Sequence, residues 1–164
     1  MRSTVRQWME RSGVGFGTSG ARGLAVALTD QVSYASTRGF LGYLESSQQW
    51  VGRGGRVAVA GDLRPSTRRL MRAIQWAIRD AGSEAVMCGL VPSPALALYG
   101  IEQGIPSIMV TGSHIPADRN GIKFNKPAGE ILKSDEPGIL AQEVECPDGR
   151  FTAAGGLVLA EAEA

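Results

Sequence analysis

Residues 108–124 read IMVTGSHIPADRNGIKF. The run Ile108-Met109-Val110 is apolar and short, as expected of a strand buried on both faces. It leads straight into a polar loop that opens with Thr111-Gly112-Ser113 and carries the only histidine of the chain, His114. Buried strands that end in polar loops are the building unit of open α/β sheets. Such sheets bind ligands beyond the carboxyl ends of their strands.

The same pattern recurs outward from that stretch. Arg56 to Ala60 (RVAVA) is too uniformly small and apolar to be half-exposed, and GDLRPST follows it as a turn. Pro65 then starts a helix that runs to about Ala81, with Leu70, Ile74, Ala77, Ile78 and Ala81 inward. Its arginines (Arg68, Arg69, Arg72, Arg79) read mostly as a solvated face, and Gly82 stops it. Glu84 to Leu90 is a third strand, VPSPALALYGIEQG a short helix ending at Gly104, and Pro106 to Thr111 the strand that carries the loop.

Upstream, Leu24 to Leu28 reads as a buried strand, with FGTSGARG before it. Thr29 or Asp30 then caps a helix with Val32, Ala35, Ser36, Phe40, Tyr43 and Leu44 near one face, broken by GRGG at 52–55. Downstream, Gly121 to Asn125 and Glu130 to Leu132 suggest a hairpin, and a last helix is expected from near Ser134 to about Glu145. Strands alternating with helices predict an α/β sandwich. The tail FTAAGGLVLAEAEA has no turn chemistry or period and reads as a frayed end.

Composition narrows the function. The 164 residues are enough for one domain with a real core, and 43% hydrophobic with 20% charged is ordinary for a globular protein. A formal net charge of +1 gives no electrostatic case for nucleic acid or an acidic membrane. Cys88 and Cys146 form no CxxC pair, and with one histidine they complete no zinc set, so two reduced, buried thiols are expected. No apolar run nears the roughly 20 residues that span a bilayer. The start has charges but no apolar core, so the cytoplasm is the default location.

Ser113 and His114 together raise the question of a serine hydrolase, but a triad also needs an acid to orient the histidine, and no GxSxG elbow is present. Phosphate handling fits better. Gly112 lets a ligand approach the backbone, and His114, Arg119, Lys123 and the distant Arg22 supply cations. A serine among such groups can carry a phosphoryl group. A plainer account also fits: Asn120-Gly121 is a common turn pair, TGS can close a strand, and a lone histidine is often structural. A nucleotide-binding domain is disfavoured, since neither GxGxxG after a strand nor GxxxxGK[ST] occurs.

Taken together, FGTSGARG (16–23), GDLRPST (61–67), VPSPAL (91–96) and TGSHIPADRNGIKF (111–124) resemble the α-D-phosphohexomutases, the family of phosphomannomutase and phosphoglucomutase. Their order and spacing are similar to the first of that family's four domains, placed here at residues 14–145, with 1–13 a lead-in and 146–164 an irregular tail. The resemblance implies a three-layer α/β/α sandwich with a mixed, mostly parallel sheet of about four strands. It also implies reversible interconversion of hexose 1- and 6-phosphates through a phosphoserine and a bisphosphorylated sugar.

On that resemblance Ser113 is the phosphoryl carrier, and its phosphate would be a ligand of Mg²⁺. His114, Lys123 and Arg22 would be catalytic, and these with Asn120 would contact phosphate or substrate, while Asn120 and Gly121 shape the loop. Glucose 1,6-bisphosphate or mannose 1,6-bisphosphate would serve as activator. The sequence departs from the family at Ile115, giving SHIP rather than SHNP, and by lacking the Asp-rich metal loop and the sugar-reading and phosphate-binding loops of the later domains. The chain alone is therefore expected to turn over little, and to self-associate or pair with the missing domains. The rival expectation is a non-catalytic remnant that binds a phosphosugar or a partner.

Overall fold

The computed structural model describes residues 1–159. Strands β1 (Arg2–Thr4), β2 (Gly15–Phe16), β3 (Gly20–Leu24), β4 (Arg56–Gly61), β5 (Glu84–Leu90), β6 (Ser107–Val110), β7 (Arg119–Lys126), β8 (Gly129–Glu130) and β9 (Glu143–Glu145) alternate with five helices. These are α1 (Val5–Ser12), α2 (Asp30–Ser46), α3 (Thr67–Asp80), α4 (Ser93–Gln103) and α5 (Glu136–Leu140). None of them is long and apolar enough to cross a membrane.

Seven strands form the main sheet, in the order β2-β3-β7-β6-β4-β5 with β8 paired to β7. The α/β sandwich is as expected, but the sheet is larger than about four strands and less parallel. Only β5, β4 and β6 run parallel, while β6/β7, β7/β3 and β3/β2 are antiparallel. Period-2 alternation sorts the strands between two cores. Val57, Val59, Ile108 and Val110 face the large core under α2 and α3, and Ala58, Ala60 and Met109 face Leu96 of α4 on the other side. That places helices on both faces, the three-layer arrangement.

Local chemistry explains most boundaries. Thr29 caps α2, its hydroxyl accepting from the Val32 amide at 3.2 Å. Gly82 and Gly104, at φ 79° and 65°, close α3 and α4 in a conformation that costs other residues energy. Phe124 of β7 is fully buried and stacks on Phe40 of α2 at 4.7 Å, which locks that strand over the large core.

Three expectations are corrected. The strand placed at Leu24 to Leu28 lies earlier, at Gly20–Leu24, and residues 25–28 form a turn. Gly20 allows this because a Cβ there would sit 1.8 Å from the Ile122 carbonyl oxygen. The carbonyls of Ala25 and Leu28 are bonded by Arg69, which turns inward to Asp30 at 2.8 Å instead of joining a solvated face. Within the lead-in, Thr4 and Gln7 form a reciprocal cap on α1. The last helix ends at Leu140, because Glu143–Glu145 pairs antiparallel with β1.

The tail is irregular but tied down as far as Val158, whose amide donates to the Arg150 carbonyl at 2.9 Å. The Gly155 carbonyl accepts from the Gln31 amide at 2.9 Å, one of the donors that the first turn of α2 leaves unbonded. Asp30 accepts from the Leu157 amide at 2.9 Å, and Phe151 packs edge-on against Tyr34. The acidic end of the tail lies outside the described residues. Both cysteines are free thiols, but only Cys146 is buried as expected, which pushes its thiol up to about 12, whereas Cys88 on β5 is half-buried.

Candidate functional site

Parallel pairing sets the carboxyl ends of β4 and β6 side by side, with Gly61 opposite Val110. Asp62 and Thr111 therefore leave the sheet together. β3 and β7 add a second wall, pairing Gly20 with Lys123 and Arg22 with Gly121. Between these walls lies a cavity of about 150 Å³, lined by Ser19, Gly20, Ala21, Arg22, Ser93, Thr111, Ser113, Gly121, Ile122 and Lys123. Larger concavities of about 590 and 480 Å³ lie elsewhere. The larger mixes three arginines with Asp80, Glu143 and Glu145 and so has no dominant charge, whereas the small one carries Arg22 and Lys123 with no acid in its lining.

The fold thus gathers Ser113, Arg22 and Lys123 from three separate segments. The Arg22 stem passes between Gly17 and Gly121, where a Cβ would stand 3.2 Å from it on either side. Lys123 bonds Glu130 at 3.1 Å. Hydrogen bonds from Ser19 and then Lys123 hold the Glu130 carboxyl below its ordinary range. Ser93 opens α4 at the cavity wall with no side-chain cap, so the positive end of that helix faces the same space.

Ser113 takes φ 53°, the left-handed region that costs a residue with a Cβ about 1–2 kcal/mol. That turn brings neighbouring side chains together rather than apart: Ser113 Oγ lies 3.2 Å from His114 Nδ1, both exposed. His114 does not line the cavity but stands beside the hydroxyl at its rim.

Asn120 is placed differently from the expected phosphate contact. It is fully buried, and its amide donates to Ser66 Oγ at 2.8 Å and Thr67 Oγ1 at 3.2 Å. Its carbonyl oxygen accepts from the Gly121 amide at 2.9 Å, so its polar atoms are already bonded inside the protein. The Arg119 side chain does not enter the cavity lining either.

Sequence reasoning flagged GDLRPST but not its two working residues. Asp62 accepts from the amides of Arg64 and Gly112, each at 3.0 Å, and from the Thr67 hydroxyl at 2.7 Å. Partial burial raises its carboxyl, but these donors outweigh it and hold it below the usual carboxylate range. Arg64 donates to the carbonyls of Ile115 and Pro116 at 2.6 Å, Arg119 at 2.9 Å and Ser113 at 3.4 Å. The available signal was a charged Asp-x-Arg directly after a buried strand.

Among the described residues no three of His, Cys, Asp and Glu stand together as a metal set. Ser113 is the one group at the cavity whose phosphate would offer oxygens to Mg²⁺, and Asp62 is already saturated by donors. The described residues therefore fit a shared ion only as one contributor to it.

Residues 13–145 match the model of the phosphoglucomutase/phosphomannomutase alpha/beta/alpha domain I. The chain is 44% identical over 132 residues to a phosphomannomutase of Salmonella muenchen, covering 80% of this chain and 27% of that protein. It is 48% identical over 126 residues to a phosphomannomutase of Sinorhizobium fredii, covering 77% and 26%. A crystal structure of a phosphoglucomutase/phosphomannomutase family protein from Burkholderia thailandensis superposes with TM-score 0.63 at 28% identity, over 76% of this chain and 28% of that one. The chain thus spans about a quarter of the length of the curated relatives it matches.

Proposed function

The chain belongs to the phosphoglucomutase/phosphomannomutase family through its alpha/beta/alpha domain I, and on that premise we propose that Ser113 carries a phosphoryl group exchanged with a hexose phosphate. The observation that carries this reading is the convergence of Ser113, Arg22 and Lys123 on one cavity at the strand carboxyl ends. In the forward step Ser113 Oγ attacks a phosphorus of a hexose 1,6-bisphosphate. The Oγ–P bond forms, the bond from phosphorus to the sugar oxygen breaks, and the hydroxyl proton ends on the released sugar oxygen. His114 Nδ1, 3.2 Å from Oγ, is within reach to accept that proton in the tautomer protonated at Nε2. Arg22, Lys123 and the start of α4 stabilise the equatorial phosphoryl oxygens, which is most of what phosphoryl transfer asks of a protein.

Return of the phosphoryl group to the other sugar oxygen makes the net reaction an interconversion of hexose 1- and 6-phosphates. Magnesium enters the proposal only as an ion whose remaining ligands lie outside the described residues, and no step above depends on it. These residues alone are expected to support transfer onto Ser113 rather than sustained isomerisation. The test is intact mass of the full chain before and after incubation with glucose 1,6-bisphosphate and Mg²⁺, with peptide mapping. One phosphate on Ser113, absent from Ser113→Ala, supports the reading. An unmodified chain, or a phosphate elsewhere, sinks it.

A further inference from the structure

We propose that Arg64, oriented by Asp62, is a positioning residue that holds the Ser113 loop in its reactive shape; the inference rests on the reading of Ser113 as carrier. The ends of the loop from Thr111 to Asp118 are pinned, the Thr111 amide donating to the Gly121 carbonyl at 3.0 Å and the Ala25 amide to the Asp118 carbonyl at 2.8 Å, but between them it has few bonds of its own. The Ser113 amide donates to Thr111 Oγ1 at 3.0 Å, and two short turns bond Ile115 to Gly112 and Arg119 to Pro116. Such contacts are weak support for a serine held at φ 53°, a conformation that persists only where its surroundings over-determine it.

The missing constraint comes from Arg64, which reaches the loop from the end of β4. Nη1 donates to the Pro116 and Arg119 carbonyls and Nη2 to the Ile115 and Ser113 carbonyls, so one planar fork fixes four points across seven residues. Nε faces Asp62 at 3.5 Å, and the other Asp62 contacts fix that carboxylate against α3 and the Gly112 amide. Gly112 supplies the room: a Cβ there would lie 2.0 Å from Cζ and Nε of Arg64. The guanidinium is mostly buried, with 17% side-chain exposure, yet it does not line the cavity. It therefore acts through the loop and not on the ligand. By drawing carbonyl oxygens onto itself it also removes negative dipole ends that would otherwise be available to repel an arriving phosphoryl group.

Lysine keeps the charge at this position but has no planar fork, so Arg64→Lys isolates geometry from charge. Two readouts on the full chain test the proposal. The first is amide hydrogen exchange of a peptide spanning 111–119, which needs no phosphate donor. The second is the rate of Ser113 phosphorylation against glucose 1,6-bisphosphate concentration. In Arg64→Lys the loop is expected to exchange about tenfold faster or more, with β4 and β6 unchanged, as several charge-assisted bonds are lost. The saturating rate is expected to fall about tenfold or more while the half-saturating concentration holds, because orientation is lost and the binding cations remain. If Arg64→Lys does not fold, Asp62→Asn carries the same two expectations at smaller size. Loop exchange equal to wild type overturns the proposal, as does a loosened loop that is phosphorylated at the wild-type rate. Wild-type chain that never accepts phosphate overturns the carrier reading and this inference with it, whereas labelled wild type with an equally fast variant overturns this inference alone.

Discussion

Replacing Asn120 with alanine separates an internal strut from a phosphate ligand. Asn120 is fully buried and makes three hydrogen bonds, to Ser66, Thr67 and the Gly121 amide. Each is worth about 1 kcal/mol net, and a buried donor left without a partner costs about 1–3 kcal/mol. The Gly121 amide is such a donor, whereas the Ser66 and Thr67 oxygens lose only a bond they accept, and the Thr67 hydroxyl keeps its own donation to Asp62. The expected loss is therefore about 3 kcal/mol, about 1 for each of the three bonds. For a domain of this size 1 kcal/mol moves the melting temperature by about 2–4 °C, so a fall of about 6–12 °C is expected. Thermal melting and urea unfolding of wild type and Asn120→Ala measure it, alongside half-saturation for glucose 1,6-bisphosphate in the phosphorylation assay. The variant should melt low and, where folded, bind the bisphosphate as wild type does. Unchanged stability with weakened bisphosphate binding would refute the strut and return Asn120 to the cavity.

Two further outcomes are expected. Asp62 binds its proton less readily in the fold than in the unfolded chain, so its contribution to stability is complete above the ordinary carboxylate value near 3.8 and is lost as pH falls through its lower folded value. Urea midpoints measured from pH 6 downward should drop in that acid window, and Asp62→Asn should flatten part of the drop; a parallel decline in both proteins rules Asp62 out as a contributor. Glu130→Gln removes the partner of Lys123 at 3.1 Å, an exposed pair worth at most about 1 kcal/mol. The half-saturating bisphosphate concentration should fall by about two- to fivefold at low salt, and a rise instead would mean that Glu130 aims Lys123 rather than competing for it.

The parts of the fold legible in the sequence were those whose burial is written in their own residues. Val57-Ala58-Val59-Ala60 and Ile108-Met109-Val110 are apolar because both faces are covered, and Thr29 announces its cap. β3 was misplaced because its residues, Gly-Ala-Arg-Gly-Leu, carry no strand pattern. They pair because β7 offers an edge and glycine tolerates the close approach. β1 and β9 are three-residue, largely polar strands that exist only through each other. At the site, Ser113, Arg22 and Lys123 were marked by their residue types and by the motifs around them. Arg64 was not, because its partners are main-chain carbonyls some fifty positions away, and a carbonyl has no letter in a sequence.

That choice of partners has a consequence for variation. A loop held by its side chains must preserve each of them, but one gripped by its backbone is indifferent to most. Arg64 takes hold of Ile115, Pro116 and Arg119 through the atoms every residue shares, and positions 116–119 turn their side chains to solvent. Isoleucine at 115, where many phosphohexomutases carry asparagine, leaves that grip intact. The loop can therefore accumulate substitutions while the serine stays where the cavity needs it.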